Sequence, residues 1–122
     1  MNILVGNTFP LTLIRRKTSI VPKSVEILKV HINDKNNIVY SFWGHNNTLA
    51  TANKILEIDL TPTTKRPSLL LSNEGYIEFN DNIFKQCWVL SPDYIPGFRP
   101  IIGEEVGEDE ITGWQVLQMI WE

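Results

Sequence analysis

A sharp change of pattern after Trp43 constrains the fold of this chain more than any other feature. The six residues Ile38–Trp43 (IVYSFW) are almost continuously apolar, which predicts a β-strand buried on both faces. The polar cluster GHNN ends that strand, and apolar residues then recur at helical spacing over Thr48–Glu57. A buried strand that leads directly into an amphipathic helix is typical of α/β proteins, so we expect that fold class.

The remaining segments predict more strands than helices. Further strands are predicted at Asn2–Val5, Ser24–Ile32, Ser68–Leu71, Tyr76–Phe79, Phe84–Leu90 and Trp114–Trp121, with a short helix as the alternative for the last segment. Turns or loops are predicted at Asn7–Pro10, Asn33–Asn37, Pro62–Pro67, Ser72–Gly75 and Ser91–Pro100. The sequence thus predicts a mixed sheet of five or more strands with one main helix and short flanking helices. A chain of 122 residues with 43% hydrophobic content is the size of one domain, so we expect residues 1–122 to form a single unit.

Several classes of protein are excluded by what the sequence lacks. No apolar run approaches the ~18 residues that a membrane-spanning helix needs, and the first residues (MNILVGNTF) do not resemble a secretory signal. We therefore expect a cytoplasmic protein with no membrane partner. The single cysteine, Cys87, excludes an intramolecular disulfide and a cysteine-only zinc site, and its thiol is either buried and inert or a nucleophile. Two histidines without a nearby cysteine or aspartate pattern do not form a metal site, so no metal or cofactor is expected.

Charge is distributed unevenly along the chain. The formal net charge is −3, which argues against a long nucleic acid as partner. Residues 1–66 nevertheless carry nine Lys/Arg and four Asp/Glu, a net charge of +5, whereas Glu104–Glu110 holds five acids and no base. The first half could therefore bind an anion, or the uneven charge could serve surface solubility alone.

The start of the predicted helix carries the residues best suited to chemistry. The N-terminus of a helix presents unpaired N–H groups and the positive end of the helix dipole, so it favours anions. His45 could donate a proton there near neutral pH, Gly44 allows a close approach to a ligand, and Asn46 or Asn47 is a credible N-cap. In the alternative interpretation, His45 only caps the helix and packs against Trp43.

Two other polar positions allow both a structural and a functional interpretation. His31 is interpreted as a partly exposed histidine within the predicted strand Ser24–Ile32. Arg66, which follows Lys65 in a predicted loop, could bind a phosphate through its guanidinium or could be a solvated charge.

The order of these segments resembles the viral ring nucleases of type III anti-CRISPR action. Members of that family have a short N-terminal strand ending in Asn-x-Phe, a Gly-His pair before a helix, a threonine three residues after the histidine, and a phosphate-binding arginine. The matching residues here are Asn7, Phe9, Gly44, His45, Thr48 and Arg66. The family comes from archaeal viruses and phages, with cellular relatives beside CRISPR loci. A viral protein of this kind would act in the cytoplasm of the host cell.

The resemblance implies a homodimer that binds cyclic oligoadenylate across its two-fold axis and cleaves it without metal. The ribose 2′-OH of the substrate would attack the adjacent phosphorus, with His45 as general acid on the departing 5′-oxygen. The product would be a linear oligoadenylate with a 2′,3′-cyclic phosphate. Residues implied in substrate binding are Asn7, Thr8, Phe9, Gly44, Asn46, Asn47, Thr48, Lys65, Arg66 and Arg99.

The sequence departs from the family at one functional position. A further arginine of the family falls at Asp93 or Tyr94 here, and Arg99 is the basic residue that could substitute for it. Two alternatives to the enzyme therefore stay open. The domain could sequester a cyclic nucleotide without cleaving it, or its four tryptophans and acidic tract could form a surface for a protein partner.

Overall fold

The computed structural model describes residues 1–43, 49–58, 69–99 and 106–122. Its described parts form three layers, with a five-stranded mixed sheet between a pair of helices and a three-stranded antiparallel sheet. The expected α/β class and the mixed sheet of five or more strands are thereby confirmed. Within these described ranges, two helices of similar length are present where one main helix was expected. No helix within the described ranges is both long and apolar enough to cross a membrane.

The elements follow one another in a simple order. The strands are β1 (Asn2–Gly6), β2 (Thr18–Lys23), β3 (Ile38–Ser41), β4 (Leu70–Leu71), β5 (Ile77–Phe79), β6 (Asn82–Phe84), β7 (Gln86–Tyr94) and β8 (Ile111–Trp121), and the helices are α1 (Val25–Asn33) and α2 (Leu49–Leu56). Short 3-10 turns lie at Leu11–Leu13 and Glu108–Glu110. The large sheet has the order β2-β8-β7-β1-β3, and the small sheet has the order β4-β5-β6. Strand β1 is parallel to both β3 and β7, whereas β8 is antiparallel to β7 and β2.

Each face of the large sheet has its own apolar cluster, because successive side chains of a strand point to opposite faces. We call the cluster on the helical side the helix-side cluster; it contains Ile3, Val5, Leu28, Ile32, Trp43, Leu49, Ala52, Leu56, Trp88, Leu90 and Val116. The cluster beneath the small sheet is the sheet-side cluster; it contains Leu4, Phe42, Tyr76, Ile77, Phe84, Cys87, Val89, Met119 and Trp121.

The strand predicted at Ser24–Ile32 is a helix. The hydroxyl of Ser24 accepts a hydrogen bond from the backbone N–H of Ile27 at 3.2 Å, which caps α1. Leu28 and Ile32 are buried four residues apart, a spacing that fits one helix face, whereas Ile27 is 43% exposed. The β-branched composition favoured a strand, but packing of the helix face outweighs that weak propensity.

The helix predicted after Trp43 is confirmed as α2, and the preceding strand is shorter than predicted. Helix α2 buries Leu49, Ala52 and Leu56 on one face. Strand β3 ends at Ser41, before the buried Phe42 and Trp43. The prediction that Ile38–Trp43 is buried on both faces is wrong for the strand itself, because β3 lies at the sheet edge and Ile38 is 59% exposed.

The region around β6 and β7 also differs from the prediction. The strand predicted at Phe84–Leu90 is two strands in different sheets, since Lys85 separates β6 from β7. Asn80 and Asp81, both with positive φ, form the tight turn that returns β6 against β5. The predicted loop Ser91–Pro100 begins as strand, because β7 continues to Tyr94. Beyond Val89, β7 has lost β1 as a neighbour, so Pro92 fits on a locally free edge.

Strand β2 was not predicted, because its exposed sequence TSIVPK has no buried alternation. It forms one edge of the large sheet and pairs with β8. The backbone N–H of Glu122 donates to the carbonyl of Lys17 at 3.0 Å, so every second residue from Lys17 onward faces β8. By that alternation, the nitrogen of Pro22 faces away from the sheet.

Candidate functional site

The carboxyl edge of the parallel strands is the place where this fold can hold a ligand. Neighbouring strands β1 and β3 are parallel, so both end at this edge. The chain leaves β1 toward the sheet-side cluster, where Phe9 and Ile14 pack. Beyond β3 the chain continues to α2, whose Leu49 lies in the helix-side cluster. The residues that follow these two neighbouring strands thus pack on opposite faces of the sheet, and open α/β sheets bind their ligands in the crevice at such a point.

Asn7 follows β1 directly at this edge. Its main-chain carbonyl accepts a hydrogen bond from the Ser91 hydroxyl of the neighbouring β7 at 3.4 Å. Its side-chain Oδ1 is buried and has no hydrogen-bond partner in the structure. A buried acceptor without a partner costs roughly 1–3 kcal/mol, so Asn7 is suited to accept a hydrogen bond from a ligand. Sequence reasoning missed Ser91, which was included in a predicted loop although it directly follows an apolar run.

The other two residues of this segment differ in their surroundings. Thr8 is exposed. Phe9 is half-buried, and its ring centroid lies 5.4 Å from that of Trp121 in the sheet-side cluster. Phe9 therefore anchors the segment that carries Asn7 and Thr8, and its predicted contact with substrate stays a prediction.

The predicted catalytic residue and most of the predicted binding residues lie outside the described residues. These are Gly44, His45, Asn46, Asn47, Thr48, Lys65 and Arg66. The predicted loop Pro62–Pro67 and the first two acids of the tract Glu104–Glu110 lie outside them as well. The structure does describe the residues on either side of positions 44–48. Trp43 before them and Leu49 after them are both buried in the helix-side cluster.

Asp93 and Tyr94, the two residues predicted to stand where the resemblance has a further arginine, both lie at the end of β7. Asp93 lies in β7, and its Oδ1 accepts a hydrogen bond from the Gln115 amide at 3.1 Å. Tyr94 ends the strand, and partial burial raises the pKa of its hydroxyl. Arg99 is exposed and follows a turn in which Gly97 has a φ of +82°. Strand β7 itself contains no arginine. Arg99 therefore remains the basic residue predicted to take the role of the further arginine.

Two residues with reactive side chains are accounted for structurally. His31 is exposed as expected, but on α1 rather than on a strand; its Nδ1 lies 2.9 Å from the Ile27 carbonyl and its ring 5.2 Å from Trp88. Cys87 is fully buried in β7, as expected for an inert thiol, and burial raises its pKa well above the ordinary value. Among the residues that the structure describes, no group of three or more His, Cys, Asp or Glu could hold a metal ion.

Comparison with known proteins relates this chain to others through its fold. No protein-family model and no curated protein sequence match it. Among solved structures, it is similar to B116 of Sulfolobus turreted icosahedral virus, with a TM-score of 0.58 and 16% sequence identity over 100% of both chains. At this identity the likeness establishes a shared fold, and the structural neighbour is a viral protein.

Proposed function

We propose that this protein is a metal-independent ring nuclease that cleaves cyclic oligoadenylate. The observation that carries the proposal is the unpaired, buried Oδ1 of Asn7 at the carboxyl edge where β1 and β3 end. In sequence, His45 follows the buried Trp43 by two residues and precedes α2. In sequence, the pattern that suggested the family thus lies partly just after β1 and partly between β3 and α2, and the strands β1 and β3 are neighbours in the large sheet.

The reaction needs little covalent chemistry from the protein. The substrate 2′-oxygen forms a bond to the adjacent phosphorus, the bond from phosphorus to the 5′-oxygen breaks, and the proton of the 2′-hydroxyl is released to solvent. His45 gives a proton to the leaving 5′-oxygen, and the product carries a 2′,3′-cyclic phosphate. Because the nucleophile belongs to the substrate, catalysis rests on orientation, charge stabilisation and one proton. Arg66, with Lys65, holds a phosphate in this scheme.

In this proposal, the side chain of Asn7 accepts a hydrogen bond from the base or the ribose of the substrate. An amide oxygen accepts hydrogen bonds, and the exocyclic amino group of adenine and the ribose hydroxyls can donate them. A donor from the ligand would remove the cost of leaving Oδ1 unpaired. A ring of identical nucleotides suits a two-fold dimer, in which each residue acts twice, so a second copy of this chain is part of the proposal. A viral source acting in the host cytoplasm is part of it as well, since the structural neighbour is viral.

One observation favours a second candidate function, sequestration without cleavage. The family's further arginine falls at Asp93 or Tyr94, and the Asp93 carboxylate would repel a phosphate in that position. A pocket that lacks this cation could still bind the ring through Asn7 and Arg66, while the transition state would lose charge stabilisation. The two candidates differ in whether bound ligand is recovered intact.

Product analysis separates the candidates. The purified chain is incubated with cyclic tri-, tetra- and hexa-adenylate in EDTA, and the products are resolved by HPLC with mass spectrometry. Linear products with a cyclic-phosphate end support the ring nuclease and identify its substrate. Intact rings together with saturable binding would support sequestration instead. Rings that neither bind nor break would exclude both and favour a protein-interaction domain.

A further inference from the structure

A cavity of about 210 Å³ lies between α2 and the start of β8. Its walls include Ile55 of α2 and Ile111 and Trp114 of β8. The cavity is smaller than the ~300–1,000 Å³ of sites for drug-sized ligands, so it suits a single ring system rather than a whole nucleotide. Apolar walls and one aromatic side chain favour a flat, heteroaromatic occupant.

Trp114 differs from the other tryptophans in its exposure. Trp43, Trp88 and Trp121 are each exposed by 3% or less, whereas Trp114 is half-buried and packs on the helix-side cluster with part of its surface open to the cavity. Nucleobases stack on such aromatic side chains in proteins that bind single-stranded nucleic acids.

The polar groups around the cavity favour a base over a phosphate. Glu108 lines it, with its Oε1 2.6 Å from the Nζ of Lys54. The Thr51 hydroxyl donates to the Val106 carbonyl at 3.1 Å, and its remaining lone pair is an acceptor. A carboxylate and a hydroxyl lone pair can accept from an exocyclic amino group, while the acids of Glu108–Glu110 repel phosphate.

The cavity lies at the same edge of the sheet as Asn7. Gly6 of β1 pairs with Val89 of β7, and Trp114 of β8 pairs with Pro92 of β7. Pro92 lies three residues beyond Val89 along β7, toward the carboxyl edge. Standard strand spacings place the backbones of Asn7 and Trp114 roughly 12 Å apart, so one cyclic oligonucleotide can reach both.

We infer that this cavity holds one adenine base of the ligand, stacked on Trp114. The choice of adenine rests on the proposed function, because cyclic oligoadenylate supplies that base. The existence of a base-binding cavity does not depend on cleavage, since none of the residues that form it takes part in the proposed proton transfer.

The first experiment uses adenosine alone and therefore does not require a cyclic substrate. Four indole N–H resonances are expected in a ¹⁵N–¹H spectrum, and the one lost in Trp114→Phe belongs to Trp114. We expect millimolar adenosine to shift that resonance more than the other three, and uridine at the same concentration to shift it less. A Trp114 resonance that adenosine leaves unmoved would overturn the inference.

The second experiment measures the contribution of stacking in the full ligand. Binding of cyclic tetra-adenylate is titrated in a His45→Ala background, so that the ligand is not consumed. Trp114→Leu keeps an apolar side chain but removes the aromatic face, and we expect it to raise Kd roughly 5- to 150-fold. Trp114→Phe keeps an aromatic ring and is expected to retain most of the affinity, and circular dichroism checks that both variants fold.

The outcomes separate this inference from the proposed function. If the chain cleaves no ring but adenosine still shifts the Trp114 resonance, the ring-nuclease proposal fails and the base site stands. If the chain cleaves rings but Trp114→Leu changes neither Kd nor the rate of cleavage, the base site fails and the ring-nuclease proposal stands.

Discussion

The aromatic ring of Phe42 lies directly against the α-carbon of Gly6. A Cβ built on Gly6 would approach three ring carbons of Phe42 to well under 3.0 Å, which is closer than real Cβ atoms come to their neighbours. Phe42 is only 3% exposed, and its backbone N–H donates to the Val5 carbonyl at 2.9 Å. The ring therefore has little room to move away, and glycine is the residue that fits at the end of β1.

Gly6→Ala is expected to lower the free energy of unfolding by about 1–3 kcal/mol, because it overpacks this contact. Gly113→Ala is the matched control, since a Cβ there meets only the Asp93 carboxylate at 3.8 Å. Urea denaturation of both variants measures the difference. In the double variant Gly6→Ala/Phe42→Ala, the cost of the alanine at position 6 should largely disappear, and additive losses would contradict the proposed clash.

His45→Ala is expected to lower the rate of cyclic oligoadenylate cleavage ~10²–10⁴-fold, the range typical for removal of a positioned general acid. His31→Ala is the control, because His31 lies on α1, where its ring contacts the Ile27 carbonyl and the Trp88 ring of β7. Single-turnover cleavage with excess enzyme reports the chemical step without product release. Equal losses in the two variants would show that His45 has no special role.

Asn7→Ala is expected to weaken binding of cyclic oligoadenylate by roughly tenfold, since one hydrogen bond to the ligand is lost. Its free energy of unfolding should stay unchanged or rise slightly, because the variant removes a buried acceptor that has no partner. Asn2→Ala, at the opposite end of β1, where Asn2 donates to Asn82 at 3.5 Å, is the control and should leave binding intact. Calorimetric titration and urea denaturation measure the two quantities. Loss of stability without loss of affinity in Asn7→Ala would make Asn7 a structural residue.

Above pH 9, Cys87 is expected to make stability fall as the pH rises. Its ordinary pKa is 9.0, and burial raises the pKa in the folded state, so the unfolded chain loses this proton first. The free energy of unfolding should then fall by about 1.4 kcal/mol per pH unit from this group alone. Cys87→Ala should be less stable at neutral pH but should lack this part of the slope. Parallel pH profiles for the two proteins in denaturant titrations would contradict the prediction.

Ser24→Ala is expected to lower the free energy of unfolding by about 1 kcal/mol, because the N-cap of α1 is lost. Ser19→Ala is the control, since Ser19 is exposed on β2. Thermal unfolding by circular dichroism compares the two. A larger effect at Ser19 than at Ser24 would argue that the cap contributes little.

The sequence predicted those elements whose apolar spacing is determined by burial on one side. Helix α2 was predicted because its buried residues recur at helical spacing. Strand β8 was predicted from its apolar run, with a short helix as the alternative, although its buried residues lie on both faces of the sheet. Helix α1 was missed because Val25, Ile27 and Ile32 suggest a strand by composition, while the cap at Ser24 and the spacing of the buried residues decide the outcome. Strand β2 could not be predicted, because backbone pairing with β8, rather than burial of its side chains, holds it in the sheet.

The sequence could predict only those site residues whose position relative to a strand or helix is visible along the chain. Asn7 could be identified because it follows an apolar strand, but the lack of a partner for its Oδ1 depends on the tertiary arrangement. The cavity beside Trp114 could not be predicted, because Ile55 and Ile111, which help to form it, are 56 positions apart in the chain. Neither helix period nor strand alternation carries information about such distant neighbours.

The orientation of Pro22 has a consequence for how copies of this chain can meet. Among the residues of β2 whose backbone groups face outward, Thr18 and Ile20 each have an N–H group to donate, whereas Pro22 has none. A strand from another molecule that paired with β2 would therefore find no hydrogen-bond donor at Pro22. The opposite edge, β3, is only four residues long. Neither edge strand of the large sheet is well suited to pair with a strand from another molecule. Fibre formation by repeated strand addition is therefore disfavoured. Two copies that associate in solution are expected to do so through faces and helices rather than by extending the sheet.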